Sequence, residues 1–287
     1  MTIRSIPPYA LPAATDLTPD KVSWPLALDR AVLLIHDMQD YFMTFYGAGN
    51  PAIGQCVETI ATLRRHCKAQ GVPVVYTAQP AEQSDEDRAL LNDMWGPGLT
   101  RRPEQAGIVA DLAPDADDRV LTKWRYSAFY RSPLAEIMAE SGRDQLVICG
   151  IYGHIGVMQT AVEAFMRGIK PFLVADAIAD FTREDHLMAL RYVGRNAGRT
   201  LHSSEILAPV PAALSKDGLR ARLAGLLKET PGDGDNLLDF GLDSITVMKL
   251  VDDWKAAGVA VDFADLAKRP TIDGWWELLR TKLSVPA

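Results

Sequence analysis

Cysteine, clustered basic charge and long apolar runs are all scarce in this sequence. Its three cysteines have the spacing of neither a disulfide framework nor a zinc site, which favours a reducing compartment. The formal charge of -7 and the lack of Lys and Arg clusters argue against nucleic-acid binding. No segment reaches about 18 uninterrupted apolar residues, and the proline-broken residues 1–19 lack the apolar centre of a signal peptide. We therefore expect a cytoplasmic protein with no membrane partner.

Short apolar runs alternate with longer amphipathic stretches over residues 1–206. This pattern is typical of an α/β domain in which helices cover a parallel sheet. Strands are predicted near 31–35, 73–77, 119–122, 145–149 and 171–175, with a sixth near Thr200. The stretch 78–105 contains several glycines and prolines and is too long for an ordinary connection, so it is predicted to be a functional loop.

The composition changes after residue 206. Two prolines and several small residues make 207–213 a predicted linker. Residues 214–287 show helical patterns at about 214–229, 244–257 and 271–283, with a short turn near 262–267. The second domain is therefore predicted to be a small all-α, four-helix bundle.

Polar residues follow the ends of three predicted strands. Because a parallel sheet binds ligands beyond the carboxyl ends of its strands, Asp37, Lys123 and the segment 150–156 should meet at one rim. By residue type alone, the carboxylate and the ammonium are best interpreted as a structural ion pair. Gly156 is equally well explained as a glycine at a helix entry, chosen for its backbone freedom.

Four segments carry a family resemblance: LLIHDMQDYF, VVYTAQP, LTKWRYSAF and CGIYGHIGVMQTA. They resemble, in the same order, segments of the isochorismatase-like hydrolases, and most closely the bifunctional isochorismatases of the enterobactin type, which are joined to an aryl carrier protein. The resemblance covers nearly the whole chain. It implies a Rossmann-like, three-layer fold for residues 1–206.

The resemblance also implies a non-covalent chemistry. Most members of the superfamily use an Asp, Lys and Cys triad, but the position of the cysteine is occupied here by Gly156, as in the isochorismatase branch. Asp37 is the expected general acid, and Lys123 is expected to orient it and to bind a substrate carboxylate. Further substrate contacts implied by the family are Gln79, Arg88 and Tyr152.

Several residues near this rim are expected to have no catalytic role. Arg88 on its own would be a solvated residue of a charged loop. Cys149 is predicted to be a packed core thiol and His154 a hydrogen-bonded structural residue. No metal is expected, because the histidines lack the spacing and carboxylate partners of a metal site.

The segment NLLDFGLDSITVMKL supplies the second candidate site. Ser244 alone would be interpreted as part of a helix cap, but the segment resembles acyl, peptidyl and aryl carrier proteins, whose equivalent serine bears 4'-phosphopantetheine. A helix start suits a phosphodiester, because free N–H groups and the helix dipole favour an anion there. On a helical wheel Ile245 and Met248 point away from the apolar face formed by Val247, Leu250, Val251 and Trp254. They either form an exposed docking patch or pack under a neighbouring helix.

The sequence therefore predicts an isochorismatase in siderophore biosynthesis. It would hydrolyse isochorismate to 2,3-dihydro-2,3-dihydroxybenzoate and pyruvate, and carry 2,3-dihydroxybenzoate as a thioester. Implied partners are a phosphopantetheinyl transferase, an aryl-adenylating ligase and the condensation domain of a nonribosomal peptide synthetase; a homo-oligomer is compatible with the sequence. Alternatives are an inactive hydrolase scaffold with a working carrier, an amidase of the same fold, and a vinyl-ether hydrolase for an amino analogue of isochorismate.

Overall fold

The computed structural model describes residues 3–208, 215–227, 229–256, 259 and 261–283. The chain divides into two compact units. The first comprises residues 1–23 and 28–207, and the second comprises residues 208–287 together with 24–27. Residues 209–213 of the predicted linker lie outside the described residues, so the linker itself stays a prediction.

A six-stranded parallel sheet forms the centre of the first unit, as predicted. Its strand order is β3-β2-β1-β4-β5-β6. The strands are β1 Ala31–His36, β2 Val74–Ala78, β3 Arg119–Thr122, β4 Gln145–Gly150, β5 Lys170–Ile178 and β6 Arg199–Leu201. All of β1 and β4 is buried, which explains their continuous apolar runs.

The chain order along the sheet reverses between β1 and β4. The strands after β1 extend to one side, and the strands after β4 extend to the other. His36 is paired with Thr77 on β2 and with Gly150 on β4, so the carboxyl ends of these three strands are level. Such a switch point opens a crevice where a ligand can bind.

Helices cover the sheet. In the first unit they are α1 Asp40–Met43, α2 Pro51–Ala69, α3 Asp85–Arg88, α4 Leu91–Trp95, α5 Leu134–Glu140, α6 Met158–Met166, α7 Arg183–Asn196 and α8 Ser203–Leu207. Side chains of α5, α6 and α7 form one core with Val32 and Leu34, whereas α2 and α8 contact each other and β5. Because successive side chains of a strand point to opposite faces of the sheet, the strands contribute apolar side chains to the helical layers on both faces.

The second unit is helical, as predicted. Its helices are α9 Lys216–Ala224, α10 Ser244–Ala256, α11 Phe263–Lys268 and α12 Ile272–Leu283. Trp254 and Trp275 are fully buried and meet edge to face, 6.0 Å between ring centroids, at the centre of its core. No helix in the described ranges is long and apolar enough to cross a membrane.

Two element predictions for the second unit were wrong. The predicted turn at 262–267 is the helix α11, whose buried Leu266 anchors it to the core. The first helix ends at Ala224 rather than near 229, because Gly225 follows and its N–H already closes the helix on the carbonyls of Ala221 and Leu223.

Candidate active site

The six predicted residues of the hydrolase site all line one pocket at the switch point. These are Asp37, Gln79, Arg88, Lys123, Tyr152 and Gly156. The residues that the sequence interpretation assigned to one site therefore lie together in the fold. Their catalytic and binding roles stay predictions at this point.

Asp37 lies directly after β1 and is held by Thr77 on β2 and by Lys123, which directly follows β3. Its Oδ1 accepts a hydrogen bond from Thr77 Oγ1 at 2.6 Å, and its Oδ2 accepts one from Lys123 Nζ at 3.1 Å. Its φ of 52° is in the left-handed region, and its N–H donates to the carbonyl and hydroxyl oxygens of Thr77. These contacts stabilise a backbone conformation that non-glycine residues seldom adopt.

Lys123 is almost completely buried, with 3% of its surface exposed. Burial lowers the pKa of its ammonium, and the nearby Asp37 carboxylate opposes this shift without reversing it. The Lys123 ammonium is therefore a better proton donor than a solvated lysine. Asp37 and Lys123 thus form one buried, hydrogen-bonded pair.

His36 lies beneath this pair and is fully buried. Its Nδ1 is 2.7 Å from the carbonyl oxygen of Ile151, to which it donates in the corresponding tautomer. Burial lowers the pKa of His36 to about 4, so the ring is neutral at neutral pH. Its Nε2 has no well-aligned acceptor, although the backbone of Tyr126 is close to the ring.

Gly156 lies in a π-helical turn, Gly153–Val157, directly before α6. The hydroxyl of Thr160 donates to its carbonyl oxygen at 2.7 Å and accepts from the N–H of Ala128 at 2.9 Å, which fixes the backbone of the turn. Gly156 leaves the pocket without a nucleophilic side chain. The remaining cysteines are buried in the core, as predicted for Cys149.

The long loop 78–105 contributes one wall of the pocket. Arg88 is buried, with 4% exposed, which excludes the solvated role that its residue type alone had suggested, while its role as a substrate contact stays a prediction. Its Nε donates to the carbonyl of Gly96 at 2.8 Å, and one Nη donates to Gln83 Oε1 at 3.2 Å. Desolvation and the nearby Arg125 lower the pKa of the Arg88 guanidinium. A buried cation next to a second cation favours an anionic ligand.

Gln79 and Tyr152 are positioned by hydrogen bonds from the loops around them. Gln39 Nε2 donates to the carbonyl of Gln79 at 2.9 Å, and the N–H of Gln79 donates to Gln39 Oε1 at 2.8 Å. The hydroxyl of Tyr152 donates to the carbonyl of Phe42 at 3.3 Å, and its ring meets that of Phe181 at 4.6 Å. The backbone of Gln79 and the side chain of Tyr152 are thus held in place at the rim.

His154 is a hydrogen-bonded residue at the edge of the site, as expected. Its Nδ1 is 2.6 Å from Asp180 Oδ1, and its N–H donates to the other carboxylate oxygen, also at 2.6 Å. This carboxylate raises the pKa of His154, although burial acts in the opposite direction. Asp180 therefore ties the turn before α6 to the end of β5.

Several residues of the site were missed by the sequence interpretation: Trp95, Arg125, Tyr126 and Phe181, which line the pocket, and Thr77, which donates to Asp37. Thr77, Arg125, Tyr126 and Phe181 lie at or just after strand ends, so the rule used for Asp37 could have found them. Trp95 had no such signal. It lies in α4 and its indole N–H donates to Tyr126 Oη at 2.9 Å, closing the loop over the pocket.

One group of acidic residues in the described residues has the closeness of a metal site: Asp115, Asp117 and Asp118. Lys68 forms ion pairs with all three, and Arg64 pairs with Asp115 and Asp118. These cations neutralise the cluster, which is therefore a structural ion-pair network.

The second candidate site lies at the start of α10. A left-handed Gly241 (φ 91°) ends the short helix Leu237–Phe240, and Asp243 Oδ1 accepts from the N–H of Thr246 at 2.7 Å. These contacts leave Ser244 exposed as the first residue of α10, a 13-residue helix. An exposed hydroxyl at a long helix's N-terminus fits a phosphodiester-linked group.

The helical-wheel prediction for α10 is confirmed. Ile245 and Met248 are 67% and 56% exposed, whereas Val247, Leu250, Val251 and Trp254 are each at most 5% exposed. Of the two alternatives, packing under a neighbouring helix is thereby excluded within the described chain. The use of this pair as a docking patch stays a prediction.

Known families match both units. Residues 31–205 match the Isochorismatase domain, and residues 217–279 match the phosphopantetheine attachment site. Enterobactin synthase component B of Escherichia coli (strain K12) is 57% identical over 97% of this chain and 98% of its own length. An isochorismatase of Bacillus subtilis (strain 168) is 47% identical over 98% of this chain and 96% of its own.

Solved structures show the same fold for the first unit. A cysteine hydrolase from Pseudomonas syringae pv. phaseolicola 1448A is 21% identical and has a TM-score of 0.60, covering 66% of this chain and 96% of its own. The second unit is a phosphopantetheine-binding domain, which holds this cofactor covalently. The chain belongs to the isochorismatase family of hydrolases and carries a phosphopantetheine domain after its hydrolase domain.

Proposed function

We propose that the first unit hydrolyses the enolpyruvyl vinyl ether of isochorismate to 2,3-dihydro-2,3-dihydroxybenzoate and pyruvate. The observation that carries this proposal is the composition of one pocket. It holds the buried pair Asp37 and Lys123 beside Gly156, where a covalent hydrolase of this fold needs a thiol. The chemistry is then proton transfer without a covalent intermediate.

Asp37 is the proposed general acid. The neutral pair, carboxylic acid and amine, differs from the ion pair by the position of one proton between Lys123 Nζ and Asp37 Oδ2, 3.1 Å apart. Burial lowers the pKa of the Lys123 ammonium, which makes it a stronger acid than a solvated lysine. Lys123 thus supplies the proton that Asp37 passes to the substrate.

The reaction balances without a cofactor. The proton from Asp37 adds to the terminal methylene of the vinyl ether and leaves an oxocarbenium ion. Water adds to the oxocarbenium carbon, and the hemiketal so formed loses the ring alcohol as pyruvate is released. The proton lost by the attacking water balances the one that Asp37 gave.

Two carboxylates of the substrate require cationic partners. The pocket provides the buried Arg88 and also Arg125, which lines the same pocket. Arg125 is held by the carbonyl oxygens of Asp87 and Trp124, at 2.6 and 2.7 Å. Gln79 and Tyr152 are the proposed polar and aromatic contacts to the ring.

The second unit is proposed to carry 2,3-dihydroxybenzoate for nonribosomal siderophore synthesis. Ser244 is the proposed attachment residue, and the thiol of the bound phosphopantetheine supplies the thioester. The proposed partners are a phosphopantetheinyl transferase, an aryl-adenylating ligase and a condensation domain. The Isochorismatase match ends at residue 205 and the phosphopantetheine match begins at residue 217, which supports proposed domains of 1–206 and 214–287 with a linker at 207–213.

The test is to incubate the purified chain with isochorismate and to measure pyruvate and the dihydrodiol acid together. Equal amounts of both products are expected, with no mass added to the protein. Faster turnover of the 2-amino analogue would assign the chain to a different aromatic pathway. No turnover of either compound, with Ser244 still modified, would leave only the carrier function.

A further inference from the structure

Next to the pocket lies a side chain for which the proposed mechanism has no use: the ring of His36. It is fully buried, its Nδ1 faces the carbonyl of Ile151 and lies 3.6 Å from Asp37 Oδ2, and its Nε2 has no well-aligned acceptor, although the backbone of Tyr126 is close to the ring. A buried ring nitrogen without a well-formed hydrogen bond costs free energy, so its position needs an explanation.

The explanation lies in the space beside Gly156. A Cβ atom built on Gly156 would overlap the Cε1 atom of His36, and it would lie 2.8 Å from His36 Nε2 and 3.1 Å from the carbonyl oxygen of Tyr126. His36 thus fills the volume in which a side chain at position 156 would begin. The two positions are sterically matched.

His36 has little freedom to move away. Its backbone is paired with Thr77 and Gly150 on the flanking strands, and its carbonyl accepts from the N–H of Ile151 at 3.0 Å. A Cβ on Gly150 would lie 2.7 Å from the His36 nitrogen, so the backbones are in close contact there too. A tightly packed interior transmits such a clash rather than absorbing it.

We propose that His36 is the positioning residue that determines the reaction class of this pocket: it holds the segment 151–156 in place and excludes any nucleophilic side chain from position 156. An amidase in this fold needs a thiol beside an acid and a lysine. Here the acid and lysine are present, and the ring of His36 occupies the place of the thiol. A thiol at position 156 can therefore adopt a reactive position only when the ring of His36 has been removed.

His36 has two proposed roles: its Nδ1 donates to the Ile151 carbonyl, and its ring fills the space beside Gly156. One substitution separates them. In His36→Asn the side-chain amide nitrogen replaces Nδ1 and still reaches the Ile151 carbonyl, while the Cε1 and Nε2 atoms are removed. In His36→Ala both the donor and the ring are lost. His36→Asn should therefore retain most of the turnover that His36→Ala loses, with the loss in kcat rather than in KM.

The test pairs Gly156→Cys with His36→Asn and measures thermal unfolding and labelling by iodoacetamide in the folded chain. The three natural cysteines are buried, so labelling reports the new thiol. Gly156→Cys alone should lower the Tm by roughly 5 °C or more and label at least about tenfold more slowly than Gly54→Cys, a control on the exposed side of α2 where no atom lies within 4 Å of a new Cβ. Adding His36→Asn should restore both the Tm and the labelling.

Two results would overturn the proposal. One is a Gly156→Cys chain that keeps its Tm and is labelled as fast with His36 present as without it. The other is a double variant whose Tm loss equals the sum of the single losses. If Gly156→Cys does not fold, Gly156→Ala adds only the Cβ and is tested in the same cycle. The measurements of Tm and labelling involve no substrate, so their result is independent of the proposed hydrolysis.

Discussion

The two proposed functional sites of this chain are built in opposite ways. The hydrolase pocket gathers residues from several strand ends and a long loop, and its reactive pair is buried. The carrier site is one exposed serine at a helix start, with two exposed apolar neighbours. A buried site controls proton transfer by excluding water, whereas an exposed site has to reach several partners. The first is therefore sensitive to packing, and the second to surface chemistry.

The largest effect is expected from Ser244→Ala, which should abolish modification of the carrier while leaving hydrolysis intact. Ser244→Ala removes the hydroxyl that is proposed to accept the phosphopantetheinyl group, so the mass increase after incubation with a transferase should disappear. Hydrolysis of isochorismate should stay within about twofold of the unchanged chain, because the two units have separate cores. Intact-mass spectrometry and a pyruvate assay on the same sample measure both. Modification at another serine, or a loss of hydrolysis, would contradict this separation.

A change in the buried cation should be nearly as severe. Arg88→Gln removes a guanidinium that two acceptors orient, Gly96 and Gln83, and leaves the substrate carboxylate without its charged partner. We expect kcat/KM to fall by roughly 10². Arg131→Gln is the matched control, because Arg131 lies on the surface in an ion pair with Asp87. Equal losses from the two substitutions would show that Arg88 has no special role.

Acid should destabilise the hydrolase unit and spare the carrier unit. Burial lowers the pKa of both His36 and His186 to about 4, below the unfolded value of 6.5, whereas residues 214–287 contain no histidine. The unfolded chain therefore binds protons first, and stability is lost as the pH falls from about 6.5 to 4, by roughly 3 kcal/mol for each histidine.

Calorimetry as a function of pH measures this effect. The hydrolase transition should move to lower temperature across that window, while the carrier transition stays constant. The raised pKa of His154 acts in the opposite direction, so the difference between the unchanged chain and His186→Gln isolates the contribution of His186. An equal slope in both chains would show that His186 takes up its proton without cost.

The smallest effects are expected at the carrier surface. Ile245→Lys and Met248→Lys place a charge in an apolar contact, so transfer of the aryl thioester to the synthetase should slow by about tenfold while Ser244 is still modified. Leu238→Lys alters another exposed apolar side chain, 54% exposed, and is the control for non-specific surface change. Unfolding of the carrier would show that these side chains belong to its core.

The same contrast explains what the sequence could predict. Strand alternation and the rule of strand ends placed Asp37, Lys123 and Gly156 together, because parallel strands bring distant residues to one rim. The wheel of α10 predicted the exposure of Ile245 and Met248, because that helix packs through one face. Both arguments depend only on local periodicity.

The burial and contacts of residues in the long loop 78–105 could not be predicted from local periodicity. Arg88 reads as a solvated residue in EQSDEDRALL, yet it is buried because Gly96 and Gln83 accept its hydrogen bonds. Trp95 closes the pocket through Tyr126, a contact between residues 31 positions apart that no periodic pattern encodes. The close contact of His36 with Gly156 likewise depends on tertiary packing, which no local sequence pattern encodes.

Pyruvate release by Asp37→Asn tests the central claim most directly. The amide keeps the size of the carboxyl group and can still meet Thr77, but it cannot donate the proton that the vinyl ether requires. The account predicts that turnover of isochorismate falls by about 10²-fold or more, with an unchanged fold and normal modification of Ser244. A loss of less than about tenfold would contradict it, because general acids contribute more than that, and Asp37 would then be only a structural partner of Lys123.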